Sequence, residues 1–202
     1  MIGQPLTVVN QAGDLKRLVD SVRDAWLEIQ TKNTTWPFLW SGAGSASVVA
    51  GAEYTTLPAD CVEPVQDSFR YTNADGNISR VQWIDFDFFR NQSISKSGSA
   101  PSPPAYVSIA PDQTIALSPV PDADYTLLFD YYKRPTILGA DSDTPALDER
   151  YQMSIVYLAL MKFGEQIGRS DLVQIGSAEY EKYLTQISND LLPKTTIAQG
   201  YF

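Results

Sequence analysis

One stretch limits the fold more than any other. Asp148-Glu149-Arg150-Tyr151-Gln152-Met153-Ser154-Ile155-Val156-Tyr157-Leu158-Ala159-Leu160-Met161-Lys162-Phe163-Gly164 has helical character and is apolar on nearly all sides. A helix of that kind must be enclosed by other protein, because it keeps no polar face for water. An aromatic, strand-like segment (121–135) leads into it and a second helix follows at once. The chain then closes on Leu191-Leu192-Pro193-Lys194-Thr195-Thr196-Ile197-Ala198-Gln199-Gly200-Tyr201-Phe202, apolar at both ends and without an obvious partner in its own fold. Terminal aromatics cost solubility unless they dock. The tail is therefore expected to bind elsewhere, by strand addition or by insertion into a groove. The pattern is that of an assembly part rather than a catalyst.

Composition narrows the chemistry. The 202 residues hold no histidine and one cysteine, Cys61. No Ser-His or Cys-His nucleophile pair and no Cys/His zinc site can form within one chain. An intramolecular disulfide is impossible, which suits a reducing compartment. Cys61, after Leu57-Pro58-Ala59-Asp60, is expected to be a small buried hydrophobe. The net charge of −9 argues against a sequence-reading nucleic-acid binder, which carries a basic face. An acidic wall around a DNA channel stays compatible with it, since repulsion lets a duplex slide. Lys162 interrupts the longest apolar run, leaving it short of the roughly 20 residues of a membrane span. Met1-Ile2-Gly3-Gln4-Pro5 lacks the basic and apolar regions of a signal peptide.

Periodicity lays out the chain. Leu15, Leu18, Val19, Val22, Trp26 and Ile29 form one helical stripe over 14–32, with Asp20, Asp24 and Glu28 opposite. Pro37 ends that helix, and Trp36, Phe38, Leu39 and Trp40 form an aromatic knot that packs it onto the next layer. Residues 42–51 are small and read as a connector. Strands separated by turns follow: Asn73-Ala74-Asp75-Gly76-Asn77 reverses the chain between 67–72 and 78–84, and Pro111-Asp112-Gln113 between 106–109 and 114–117. Tyr125, Leu127, Phe129 and Tyr131 alternate with Thr126, Leu128, Asp130 and Tyr132, so at least one face is buried. The Ser-, Gly- and Pro-rich stretch 93–104 is expected to be a mobile projecting loop. Its Ser93, Lys96, Ser97, Gly98, Pro101, Pro103 and Pro104 are candidates for a tail-facing contact. Asp143-Thr144-Pro145 is placed to start a helix near Ala146 that runs to Gly168, and Ser170-Asp171 to cap the next.

The expected fold is α+β. The N-terminal helix with its aromatic connector (1–45) and a helical hairpin (135–190) form a helical bundle. An antiparallel β subdomain (46–134) is inserted between them, and an extended C-terminal docking tail (191–202) follows.

Several constellations invite chemistry and each has a plainer explanation. Asp85 and Asp87 in Trp83-Ile84-Asp85-Phe86-Asp87-Phe88-Phe89 could hold a divalent cation. As a strand, however, the segment has a solvated face opposite an aromatic one, and no phosphate cradle accompanies the pair. Asp141, Asp143, Asp148 and Glu149 gather at a helix start, where acidic residues favour the helix dipole. Trp36, Trp40, Trp83, Tyr106, Tyr131 and Tyr132 could stack sugars but suit a core or an interface equally. Gly164, Gly168 and Gly176 could let helices approach closely between subunits. No cofactor or metal is expected.

The order of motifs resembles a known family. Thr7-Val8-Val9-Asn10-Gln11-Ala12-Gly13-Asp14, Val22-Arg23-Asp24-Ala25-Trp26-Leu27-Glu28-Ile29-Gln30 and Trp36-Pro37-Phe38-Leu39 are followed by Leu57-Pro58-Ala59-Asp60-Cys61. Leu117-Ser118-Pro119, Tyr125-Thr126-Leu127, Tyr131-Tyr132-Lys133-Arg134-Pro135 and the stretch 151–164 complete the series. In this the chain resembles the head-to-tail adaptor (connector) proteins of tailed bacteriophages. The resemblance implies a structural virion protein of the neck, assembled in the host cytoplasm, that forms a dodecameric ring on the portal protein after packaging. The helices would surround a DNA channel without sequence-specific binding, and the β subdomain would face outward or toward a downstream tail or neck protein. The C-terminal tail would reach up against the portal, and no membrane is involved. Another neck or tail-completion protein, a carbohydrate-binding module, and a hydrolase acting through Asp85 and Asp87 are the alternatives.

Overall fold

The computed structural model describes residues 7–9, 11–73, 75–95 and 100–192, without the side chains of 92–95. It is α+β and divides into two units. One comprises the described residues of Met1–Leu39 and Pro135–Phe202, the other those of Trp40–Arg134.

The first unit is helical. Helix α1 (Gly13–Thr31) forms where the apolar period predicts it, but its stripe is buried only in its second half. Trp26 and Ile29 are fully buried, whereas Leu15 and Leu18 are 46% and 41% exposed. The buried face also takes in Ser21, Ala25 and Gln30. Gln30 is satisfied at both ends of its amide: Nε2 donates to the Thr136 carbonyl at 2.8 Å and Oε1 accepts from the Thr136 N–H at 2.9 Å. Arg23 Nε donates to the Leu138 carbonyl at 2.8 Å. These bonds seat the returning chain on α1 and spare a buried amide the cost of lost hydration. The aromatic knot forms from Trp26, Phe38 and Trp36, stacked at 5.8 and 5.7 Å, and Trp36 Nε1 donates to the Ile29 carbonyl. Trp40 stands outside it, 49% exposed at the start of a strand.

The hairpin helices are α3 (Met153–Ile167) and α4 (Ser170–Leu191). The expected start near Ala146 is not observed. Asp143 Oδ2 instead accepts the Gly139 and Ala140 N–H groups and closes a loop. Asp148 caps a 3-10 turn, Glu149–Tyr151, ahead of the helix. Gly168 ends α3 in the left-handed conformation, φ +71°, and the Arg169 N–H returns to the Gly164 carbonyl at 2.8 Å. This is the terminus a glycine permits. Ser170 and Asp171 do not cap α4; they lie in its first turn, behind Arg169. The Arg169 guanidinium bonds Asp171 at 2.8 and 2.6 Å and holds its carboxyl down to about 2.

The second unit packs two sheets. In the first, β1 (Trp40–Val48), β9 (Tyr125–Lys133), β4 (Arg70–Thr72) and β5 (Ile78–Arg80) lie in that order, and β3 (Cys61–Pro64) also pairs with β9. The second has the order β2 (Tyr54–Thr56), β8 (Thr114–Ser118), β7 (Tyr106–Ile109), β6 (Gln82–Trp83). Both expected hairpins form, β4–β5 and β7–β8. The subdomain is not wholly antiparallel, because β6 runs parallel to β7. Residues 42–48, expected as a connector, belong to β1. Gly44 is required there, since a Cβ at this position would collide with the Phe129 carbonyl across the pair. Tyr125, Leu127, Phe129 and Tyr131 all point into the core between the sheets, with Phe69, Val107, Ile115 and Leu117 from the other strands. Cys61 is buried in the same core, where burial pushes its thiol up to about 11.

The segment expected as an extended strand around Asp85 and Asp87 is instead helix α2 (Phe86–Ser95). Its Phe89, with Ile84, packs on Ala116 of β8. The second sheet is therefore covered on both faces, which is why Ile115, Ala116 and Leu117 are all fully buried.

Candidate assembly surfaces

Helix α3 meets the rest of its unit on two of its three sides. Toward α1, Lys162 Nζ pairs with Glu28 Oε2 at 2.6 Å and Gln166 Nε2 donates to Ser21 Oγ at 3.3 Å. Toward α4, Tyr157 stacks on Tyr183 at 5.7 Å. A Cβ at Gly176 would come within 2.7 Å of the Tyr157 carbonyl and the Met161 nitrogen. At Gly164 and Gly176 the close helix approach is therefore an internal one, between α3 and α4, whereas a Cβ at Gly168 would meet nothing within 4 Å. On the third side Met153 and Val156 are 43% and 52% exposed, and Leu160, Phe163 and Ile167 are half-buried.

The root of the C-terminal segment is anchored. Ile187 is fully buried, and Tyr151 Oη donates to Asp190 Oδ2 at 2.7 Å. That bond favours the neutral phenol and raises the Tyr151 pKa. Leu191 is the last residue of α4 and Leu192 its C-cap; both are half-buried. Hence the first two residues of the expected tail are part of the helical unit. Pro193, Lys194, Thr195, Thr196, Ile197, Ala198, Gln199, Gly200, Tyr201 and Phe202 lie outside the described residues.

The expected projecting loop 93–104 lies only partly within the described residues. Ser93 belongs to α2, and Lys96, Ser97 and Gly98 lie outside the described residues. Pro101 and Pro103 are exposed but Pro104 is buried. The Ser102 N–H donates to the Val120 carbonyl and the Ala105 N–H to the Ser118 carbonyl, so this part lies along the sheet rather than projecting from it. Phe88 on α2 is 53% exposed.

The chemistry-bearing residues have structural occupations. Asp85 Oδ1 accepts the Asp87 N–H at 2.9 Å, as the residue before α2; the pair does not share a strand face. Asp141 Oδ1 accepts the Val8 N–H and Asp148 Oδ1 the Arg150 N–H, so the acidic residues before α3 serve separate backbone donors. Trp36 belongs to the helical unit and Trp40, Trp83, Tyr106, Tyr131 and Tyr132 to the strand unit. Trp36 and Tyr131 are buried. Among the described residues no helix is long and apolar enough to cross a membrane.

The sequence profile of the SU10 adaptor protein family matches residues 5–199. The chain belongs to that family of phage head-to-tail adaptors. No curated protein matches it. The family match runs unbroken through the helical and strand units, so the β subdomain is as much part of the adaptor as the helices. As an adaptor of this family the chain is a phage structural component that associates with portal and tail components.

Proposed function

We propose that the adaptor is a non-catalytic ring component of the virion neck. Copies assemble beneath the portal as a dodecamer, continue the DNA channel and offer the attachment surface for the tail. The segment 193–202 docks on the portal, and DNA passes without sequence-specific contacts, in keeping with a net charge of −9. The observation that carries the reading is the anchored end of α4 in a chain of this family. Tyr151, Ile187 and Asp190 fix the last helical turn, so the residues after Leu192 start from a defined point. One short docking segment gives modest affinity by itself, and repetition around a ring multiplies it.

The test is negative-stain electron microscopy of the adaptor co-expressed with the portal protein of the same phage, full-length and ending at Leu192. A second ring stacked on the portal and lost on truncation is the expected result. A ring that survives truncation moves the contact to the helices, and no second ring refutes the reading.

A further inference from the structure

The uncovered side of α3 has the form of a helix-pairing seam. Met153, Val156, Leu160, Phe163 and Ile167 recur at i, i+3, i+7, i+10 and i+14, the spacing by which one helix packs along another. The rows that flank it are Gln152, Ala159 and Gln166 on one side and Tyr157 and Gly164 on the other. None of these carries a charge. Two copies of a chain of net charge −9 repel, and an uncharged seam lets like chains meet at low electrostatic cost. The same helical unit carries a second uncovered apolar stripe, Leu15 and Leu18 with half-buried Val22, at i, i+3 and i+7 on α1.

We propose that the α3 seam of one adaptor receives the α1 stripe of the next copy. The inference rests on the ring reading above and specifies its subunit contact. In that ring a contact between two different surfaces repeats head-to-tail from copy to copy and closes on itself. Five seam residues against three offer less than the roughly 800 Å² per partner of a stable pairwise interface. One contact is therefore weak and closure makes the assembly lasting.

The experiment is disulfide trapping with full-length V156C and L18C, both exposed positions. Cys61 is buried in the strand core and stays silent. Each variant alone, and an equal mixture, is oxidised free and in the co-expressed portal complex, then run on a non-reducing gel. The expected result is a covalent dimer in the mixture and at least a tenfold weaker dimer band for either variant alone. A V156C dimer as strong as that of the mixture overturns the proposal in favour of a symmetric α3–α3 contact. No dimer in the mixture, in portal-bound rings visible by microscopy, overturns it while leaving the ring reading intact. A dimer in the mixture without any portal-bound ring upholds the contact and sinks the ring reading.

Discussion

Tyr151 and Asp190, 39 positions apart in sequence, are joined at 2.7 Å by a hydrogen bond from the phenol to the carboxylate. It ties the turn before α3 to the last turn of α4. The Tyr151 ring itself is buried, so Tyr151→Phe keeps the packing and deletes the bond alone. Local opening at a helix end is governed by such few contacts. We expect hydrogen exchange of the amides at 188–192 to speed up at least severalfold, with α1 and the strand unit unchanged. Unaltered exchange there would show that Ile187 alone holds the helix end.

Gly176 sets how closely α4 lies on α3. A methyl group at this position would meet backbone atoms of Tyr157 and Met161 at 2.7 Å, and backbone cannot swing aside as a side-chain tip can. Gly176→Ala gains helix propensity but must spread the hairpin. Overpacking of this kind costs about 2 kcal/mol, a fall in Tm of roughly 4–8 °C. Gly168→Ala is a different defect, the loss of a left-handed helix end. Calorimetry gives the cost of each variant, and hydrogen exchange separates the two causes, since only Gly176→Ala should speed exchange at the middle of α3 and α4 as well as at the turn between them.

Tyr180 is buried with its hydroxyl unpartnered by protein groups among the described residues. Burial, with Glu28 nearby, pushes its phenol up to about 12 from the ordinary 10.0. The folded state thus favours the protonated phenol. Its contribution is complete below pH 10 and is lost as pH rises through about 12. Tyr180→Phe should raise stability near neutrality by about 1 kcal/mol, because an unsatisfied hydroxyl leaves the core. Above pH 10 the variant should also decline less steeply than the wild type in denaturant titrations. A loss of stability at neutral pH would mean that the hydroxyl is held by water.

The sequence was most legible where side-chain period and turn chemistry agree. The α1 stripe, the alternation in β9 and the reversal at 73–77 are of that kind, the last closed by Asn73 Oδ1 accepting the Asn77 N–H. It was least legible where tertiary contact overrides local pattern. Residues 42–48 look like a linker, yet Gly44 in their midst is there because β1 lies close against Phe129, a demand made by another strand. The candidate assembly surfaces were half legible. An all-round apolar α3 announces cover by other protein, but only its neighbours α1 and α4 determine which third is left over. The start of α3 was misplaced for a related reason. Asp143 can cap a helix or close a loop, and its bonds to Gly139 and Ala140 decide for the loop.

The alternation of Asp85, Phe86, Asp87 and Phe88 imitates a strand, and the side chain of Asp85 decides against one. Its carboxylate accepts the N–H of Asp87, the second residue of α2, which relieves a donor that the first helical turn leaves open. Phe86 and Phe89 then stack at 6.0 Å on one side of the helix, and Phe89 is fully buried. Asp85→Ala should therefore cost about 1 kcal/mol, and Asp85→Asn only a few tenths, because asparagine caps as well as aspartate does. Hydrogen exchange of the amides at 87–90 should follow the same order. If Asp85→Asn were as damaging as Asp85→Ala, the carboxylate's charge rather than its place as a cap would be what α2 depends on.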